Sequence, residues 1–114
     1  MKIYHNPRCS KSRKTLALLE KRGAAPEVVE YLKDPPSPEE LAELCRALGK
    51  RPLEILRVKE KRFAELGLSV KDERPDAEWF RILSENRILI ERPIVVGKKG
   101  VAIGRPPENV LSVL

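Results

Sequence analysis

The sequence predicts an α/β fold in which a β-α-β unit and a β-β-α unit share one mixed four-stranded sheet, with helices inserted between the two halves. Two observations carry this expectation. A strand-like start, a helical stretch closed by Gly23 and a β-branched run at 26–32 follow one another at the N-terminal end. At the other end, two β-branched runs flank "GKKG" and lead into a last helical segment. Parallel strands joined by a helix cross over with right-handed sense, whereas a short Gly-bounded link joins antiparallel neighbours.

Each element has a local reason. Lys2-Ile3-Tyr4 reads as a short strand, and Asn6-Pro7 marks the turn that ends it. Ser10 to Arg22 is helix-compatible, with Leu16 and Leu19 on one face and Gly23 as the stop. "PEVVEYL" (26–32) has strand composition. In "DPPSPEELAELCRALG", Ser37 is placed as an N-cap, Pro38 suits the first helical position, and Glu40 completes a capping box. Leu41, Leu44, Cys45 and Leu48 then form one apolar stripe, with Gly49 as the stop. "RPLEILR" and "KRFAELGL" read as short helical pieces. "DAEWFRILSEN" (76–86) is an amphipathic helix with Trp79, Phe80, Ile82 and Leu83 inward. "PIVV", "GKKG" and "VAI" form a hairpin, "GRPP" a loop, and a closing helix runs from Glu108.

This order is the plan of a thioredoxin-like fold: a single domain over 1–114, with a helical insertion at about 37–87. The totals agree. The chain has 114 residues, 41% of them hydrophobic and 35% charged, which suits one globular domain. No apolar run approaches the ~18 residues of a membrane span, and Met1-Lys2-Ile3-Tyr4-His5 runs into strand-like sequence without the longer apolar stretch expected of a signal peptide. Two cysteines make no secreted disulfide framework, so a cytoplasmic location is expected. A net charge of +6 favours anionic partners. Aromatic residues, at 4%, are too sparse for base-stacking platforms, so a small anion is expected rather than nucleic acid.

The segment "HNPRCSKSRKT" (5–15) holds the candidate site. Cys9 falls between the Asn6-Pro7 turn and the first helix, among Arg8, Lys11, Arg13 and Lys14. Cations and a helix N-terminus favour the thiolate, the nucleophilic form, and the first-turn N–H groups cradle anions. Arg13, four residues on, reaches the same anion as Cys9. His5, four residues before, either stabilises the thiolate through the turn or simply hydrogen-bonds the turn. The combination points to nucleophilic attack on an oxyanion. Two neighbouring chemistries fail on spacing. A phosphatase loop needs arginine six residues after the cysteine, where Thr15 stands, and a thioredoxin dithiol needs a second cysteine where Ser12 stands. One His and two distant Cys make no metal site. Cys45, on an apolar stripe, reads as an inert buried thiol.

"YHNPRCSKSR", "ERPIVV" and "GRPPENVL", taken in order with "YLKDPPSPEELAEL" and "LRVKEKRFAELGL", closely resemble the glutaredoxin-dependent arsenate reductase family. That family includes shorter reductase-like proteins and the Spx transcriptional regulators. The chain ends at Leu114, just after the last predicted helix, which matches the shorter branch. The resemblance implies that Cys9 attacks arsenate and that His5 and Ser12 hold it as a thiolate. It implies that Arg57, Arg92 and Arg105 bind the oxyanion and stabilise the adduct, and that Pro93 is the cis-proline beside the active cysteine. It further implies external glutathione as reductant, glutaredoxin as the resolving partner, no bound cofactor or metal, and a monomer. A glutathione-dependent thiol reductase with another substrate and an Spx-like polymerase-binding regulator are the alternative functions. The single-thiol Cys9-Ser-Lys-Ser12 pattern lacks the paired cysteines of the Spx redox switch.

Overall fold

A computed structural model describes all residues from Met1 to Leu114. The chain forms two compact units, Met1–Asp34 with Arg92–Leu114, and Pro35–Glu91. The first unit holds a four-stranded sheet of order β2-β1-β3-β4, where β1 is Lys2–His5, β2 Glu27–Glu30, β3 Ile94–Gly97 and β4 Gly100–Ile103. β1 pairs parallel with β2 and antiparallel with β3, and β3 pairs antiparallel with β4. This is the mixed α/β sheet of a thioredoxin-like fold.

Helix α1, Ser10–Lys21, provides the crossover from β1 to β2. Its Leu19 packs in a core with Ile3 of β1, Val95 of β3, Val110 and Val113. β2 is shorter than "PEVVEYL" suggests. β1 offers only four pairing positions, from Lys2↔Glu27 to His5↔Glu30, and the chain then turns as Lys33 and Asp34 donate to the Glu30 carbonyl. The closing helix is a 3-10 helix over Pro107–Val113. Three residues per turn bring Val110 and Val113 onto one edge, and both are buried.

The second unit contains α2 (Pro38–Leu48), α3 (Lys61–Glu65) and α4 (Asp76–Glu85), with 3-10 turns at Pro52–Ile55 and Arg87–Leu89. Ser37 caps α2 by accepting the Glu40 N–H at 3.1 Å, and its hydroxyl lies 3.4 Å from the Glu40 carboxylate. Gly49 ends α2 in the left-handed region, φ 68°, a conformation that costs glycine no Cβ clash. Leu41, Leu44 and Cys45 are buried along the expected stripe, while Leu48 is half-buried. In α4, Trp79 and Leu83 are buried, whereas Phe80 and Ile82 lie at its half-exposed margins. No helix is long and apolar enough to cross a membrane.

Candidate functional site

The site lies where the two central strands meet the start of α1. In the β1–β3 register Tyr4 pairs with Ile94, so the C-terminal end of β1 lies beside the start of β3. In the β3–β4 register Ile94 pairs with Ile103. Carried two residues further, that alignment sets Pro93 across from Gly104 and Arg92 across from Arg105. The Gly104 N–H donates to the Pro93 carbonyl at 2.9 Å, and Arg105 NH1 donates to the Arg92 carbonyl at 3.3 Å. The Arg92–Pro93 peptide bond is cis, and so is Arg105–Pro106.

Cys9 is the N-cap of α1, with φ −93° and ψ 122°, and its side chain caps nothing. Ser, Thr, Asp or Asn at this position would bond a first-turn N–H. The first turn also contains no acidic residue. α2 shows the opposite arrangement, with Ser37 capping and Glu39 and Glu40 in its first turn. The two helices of the same chain therefore differ in kind: α2 has its positive end neutralised, while α1 keeps unbonded donors and an uncompensated dipole beside the sulfur. The Arg105 guanidinium adds a full positive charge, with NH1 4.0 Å from Cys9 Sγ. Cys9 is partly exposed and carries a free thiol.

His5 and Ser12 meet each other, with Nδ1 and Oγ 2.7 Å apart. Ser12 Oγ also accepts the Asn6 N–H at 3.0 Å. Ser12 Oγ has one donor and two acceptor sites, so it serves both Asn6 and the His5 ring at once. Burial pushes His5 below its ordinary value of 6.5; the Glu30 charge opposes this shift and the Arg13 charge adds to it. The pair reaches Cys9 through the turn, because the Asn6 carbonyl accepts the Cys9 N–H at 3.0 Å. The Asn6 side chain accepts the Arg8 N–H at the same distance. Asn6 was not singled out by its sequence context beyond its place in a turn, yet it is the hub of the loop.

The arginines fall into three settings. Arg92 and Arg105 are half-buried at the strand ends, and Arg92 buries its Nε and NH1 atoms. Arg13 is exposed and donates to the Pro7 carbonyl at 2.8 Å, fastening the loop that precedes Cys9. Arg57 belongs to the other unit, where its guanidinium pairs with Glu60 and its N–H donates to the Leu89 carbonyl at 2.7 Å. Cys45 is also in that unit; burial first, then the Asp76 and Glu54 charges, push its thiol up to about 11. No group of three or more His, Cys, Asp or Glu side chains is arranged to hold a metal.

Two residues that sequence reasoning passed over join these parts. Thr15 is fully buried and donates to the Lys11 carbonyl at 2.8 Å, with its hydroxyl 3.4 Å from the Gly104 carbonyl. A Cβ on Gly104 would stand 2.5 Å from Thr15 Oγ1 and 2.8 Å from Pro93 Cγ. The only sequence signal was a glycine in a proline-containing loop, which reads equally as a turn residue.

This arrangement brings a free thiol, a bare helix N-terminus and a guanidinium to one point, which is equipment suited to attacking a tetrahedral anion. Known proteins are similar along the whole chain. An arsenate reductase of Neisseria meningitidis is 46% identical over 115 residues, spanning 100% of this chain and 97% of that protein. An arsenate reductase of Rhizobium meliloti is 46% identical over 98% of this chain and 79% of its own length. The solved arsenate reductase structure from Vibrio cholerae superposes with a TM-score of 0.93 at 48% identity, covering 99% and 96% of the two chains. The model of the ArsC family matches residues 4–113, and the chain belongs to that family.

Proposed function

We propose that this chain reduces arsenate to arsenite with Cys9 as the nucleophile. The observation that carries the reading is the Arg105 guanidinium beside the sulfur of a cysteine that occupies an otherwise uncapped helix start. The names of the Neisseria and Rhizobium relatives support arsenate as the substrate. Arsenate is a tetrahedral anion whose oxygens match a guanidinium fork and a ring of backbone N–H groups.

The Cys9 thiolate displaces one arsenate oxygen, which leaves as water once protonated, and an S–As bond forms with arsenic still pentavalent. Arg92 and Arg105 hold the remaining oxygens, and Arg13 braces the loop. Glutathione adds to the same arsenic, releasing a second water. A glutaredoxin thiolate then attacks the glutathione sulfur. The electron pair of that S–As bond stays on arsenic, which becomes trivalent, and the two external sulfurs leave as a mixed disulfide. Water finally displaces the Cys9 sulfur, freeing arsenite and the thiol. Arsenic gains two electrons and the external thiols lose two. His5 and Ser12 keep the turn in the shape that presents the sulfur. A reducing cytoplasm is the setting in which both cysteines stay free and glutathione is abundant.

The test is arsenate-dependent NADPH oxidation coupled through glutathione, glutaredoxin and glutathione reductase. Oxidation that stops when any one thiol component is left out supports the full scheme. Turnover that persists without glutaredoxin would assign another resolving thiol. No turnover with every component present would remove arsenate as the substrate and favour a thiol reductase acting elsewhere.

A further inference from the structure

We propose that Thr15 and Gly104 are positioning residues whose contact sets where the Arg105 guanidinium stands relative to the Cys9 sulfur. The proposal rests on the reading of Cys9 as the reacting thiol. Arg105 is joined directly to Gly104, and its side chain reaches both Cys9 Sγ at 4.0 Å and the Arg92 carbonyl at 3.3 Å. The backbone under that side chain is held on three sides. The Gly104 N–H is bonded to the Pro93 carbonyl at 2.9 Å, the Arg105 N–H to the Ile103 carbonyl at 2.9 Å, and the Gly104 carbonyl faces the Thr15 hydroxyl at 3.4 Å.

Gly104 is buried, and the approach it permits is closer than any side chain allows. A Cβ there would meet Thr15 Oγ1 at 2.5 Å, Pro93 Cγ at 2.8 Å and Thr15 Cγ2 at 2.9 Å. Thr15 is rigid in its turn. Its hydroxyl is bonded to the Lys11 carbonyl one turn back at 2.8 Å, and a β-branched side chain has little χ1 freedom in a helix. α1 therefore presents Cys9 at its N-cap and, less than two turns on at Thr15, the surface against which the arginine loop rests. One rigid helix fixes both the nucleophile and the seat of its cation. A shift of the loop away from Thr15 carries Arg105 with it, because they are adjacent residues.

The prediction is read from charge selectivity at Cys9, without arsenate. Iodoacetate carries a carboxylate and iodoacetamide does not, so the ratio of their alkylation rates reports the positive charge near the sulfur, with Cys9 assigned by peptide mass. Arg105→Ala is expected to lower the ratio by about fivefold, the factor expected for one unit charge pair at about 4 Å in water. Gly104→Ala is expected to lower it towards the Arg105→Ala value, because the new methyl forces the loop off Thr15. Thr15→Ala alone is expected to lower it as well, since the loop loses its seat. A ratio unchanged from the unsubstituted protein in folded Gly104→Ala would overturn the proposal. Should Gly104→Ala fail to fold, an unchanged ratio in Thr15→Ala overturns it equally. Absence of arsenate turnover leaves these ratios intact, so the two readings fail separately.

Discussion

Arg105 NH1 lies 4.0 Å from Cys9 Sγ across 96 residues of sequence. The β3–β4 register produces this meeting: Arg92 and Arg105 fall opposite each other just beyond the strand ends, where the loop after β1 delivers the cysteine. The sheet thereby brings two distant arginine-proline pairs together at one corner beside Cys9.

Removing that cation should affect substrate binding most. Arg105→Ala is expected to raise the KM for arsenate by about 10- to 100-fold, the equivalent of losing a hydrogen bond to a charged group. The coupled assay measures it directly. A KM within twofold of the parent protein would place Arg105 outside the oxyanion site.

His5 makes stability fall on acidification. Its folded value lies below 6.5, so the unfolded chain binds the proton more readily, and stability is full above 6.5 and declines as pH drops from there towards the folded value. It is the only histidine in the chain, so its part of the trend is removed by one substitution. Urea unfolding at pH 7.5 and pH 5.5 should show a smaller drop in His5→Gln than in the parent. An equal drop would mean that His5 is free to protonate in the folded state.

The two cysteines should differ sharply in reactivity. With its thiol pushed up to about 11, Cys45 is ionised to only about one part in a thousand at pH 8, and it is 3% exposed. Iodoacetamide at pH 8 is expected to label Cys9 alone in the folded protein and both cysteines in urea. Labelling of Cys45 at a rate like that of Cys9 would contradict its burial.

Ser37→Ala should cost about 1 kcal/mol of stability through loss of the α2 cap, seen as a lower urea midpoint. Arsenate KM should stay unchanged in the same variant. An unchanged midpoint would show that the Glu40 N–H finds another acceptor at no cost.

How much was legible follows from how local each feature is. Ser37, Pro38 and Gly49 declare α2 within a dozen residues, because capping is a contact between near neighbours. Cys9 stood out for the same reason, among four cations at a turn. The pairing of His5 with Ser12 depends on how a strand end packs on a helix, which no spacing rule gives. The seat of Gly104 on Thr15 spans 89 residues and was hidden further, since glycine in a loop has several ordinary explanations. The last helix left its type open because Val110 and Val113 are three apart, a spacing that fits both a 3-10 and an α period.

The most direct measurement is the arsenite formed from arsenate by the protein and by Cys9→Ser, in the presence of glutathione and glutaredoxin, with arsenic species separated and quantified. The account predicts arsenite accumulating with the parent protein and none above the protein-free background with Cys9→Ser, whose folded state remains intact by circular dichroism. Equal arsenite from the two would contradict it, for the sulfur beside Arg105 would then not be the atom that meets arsenic.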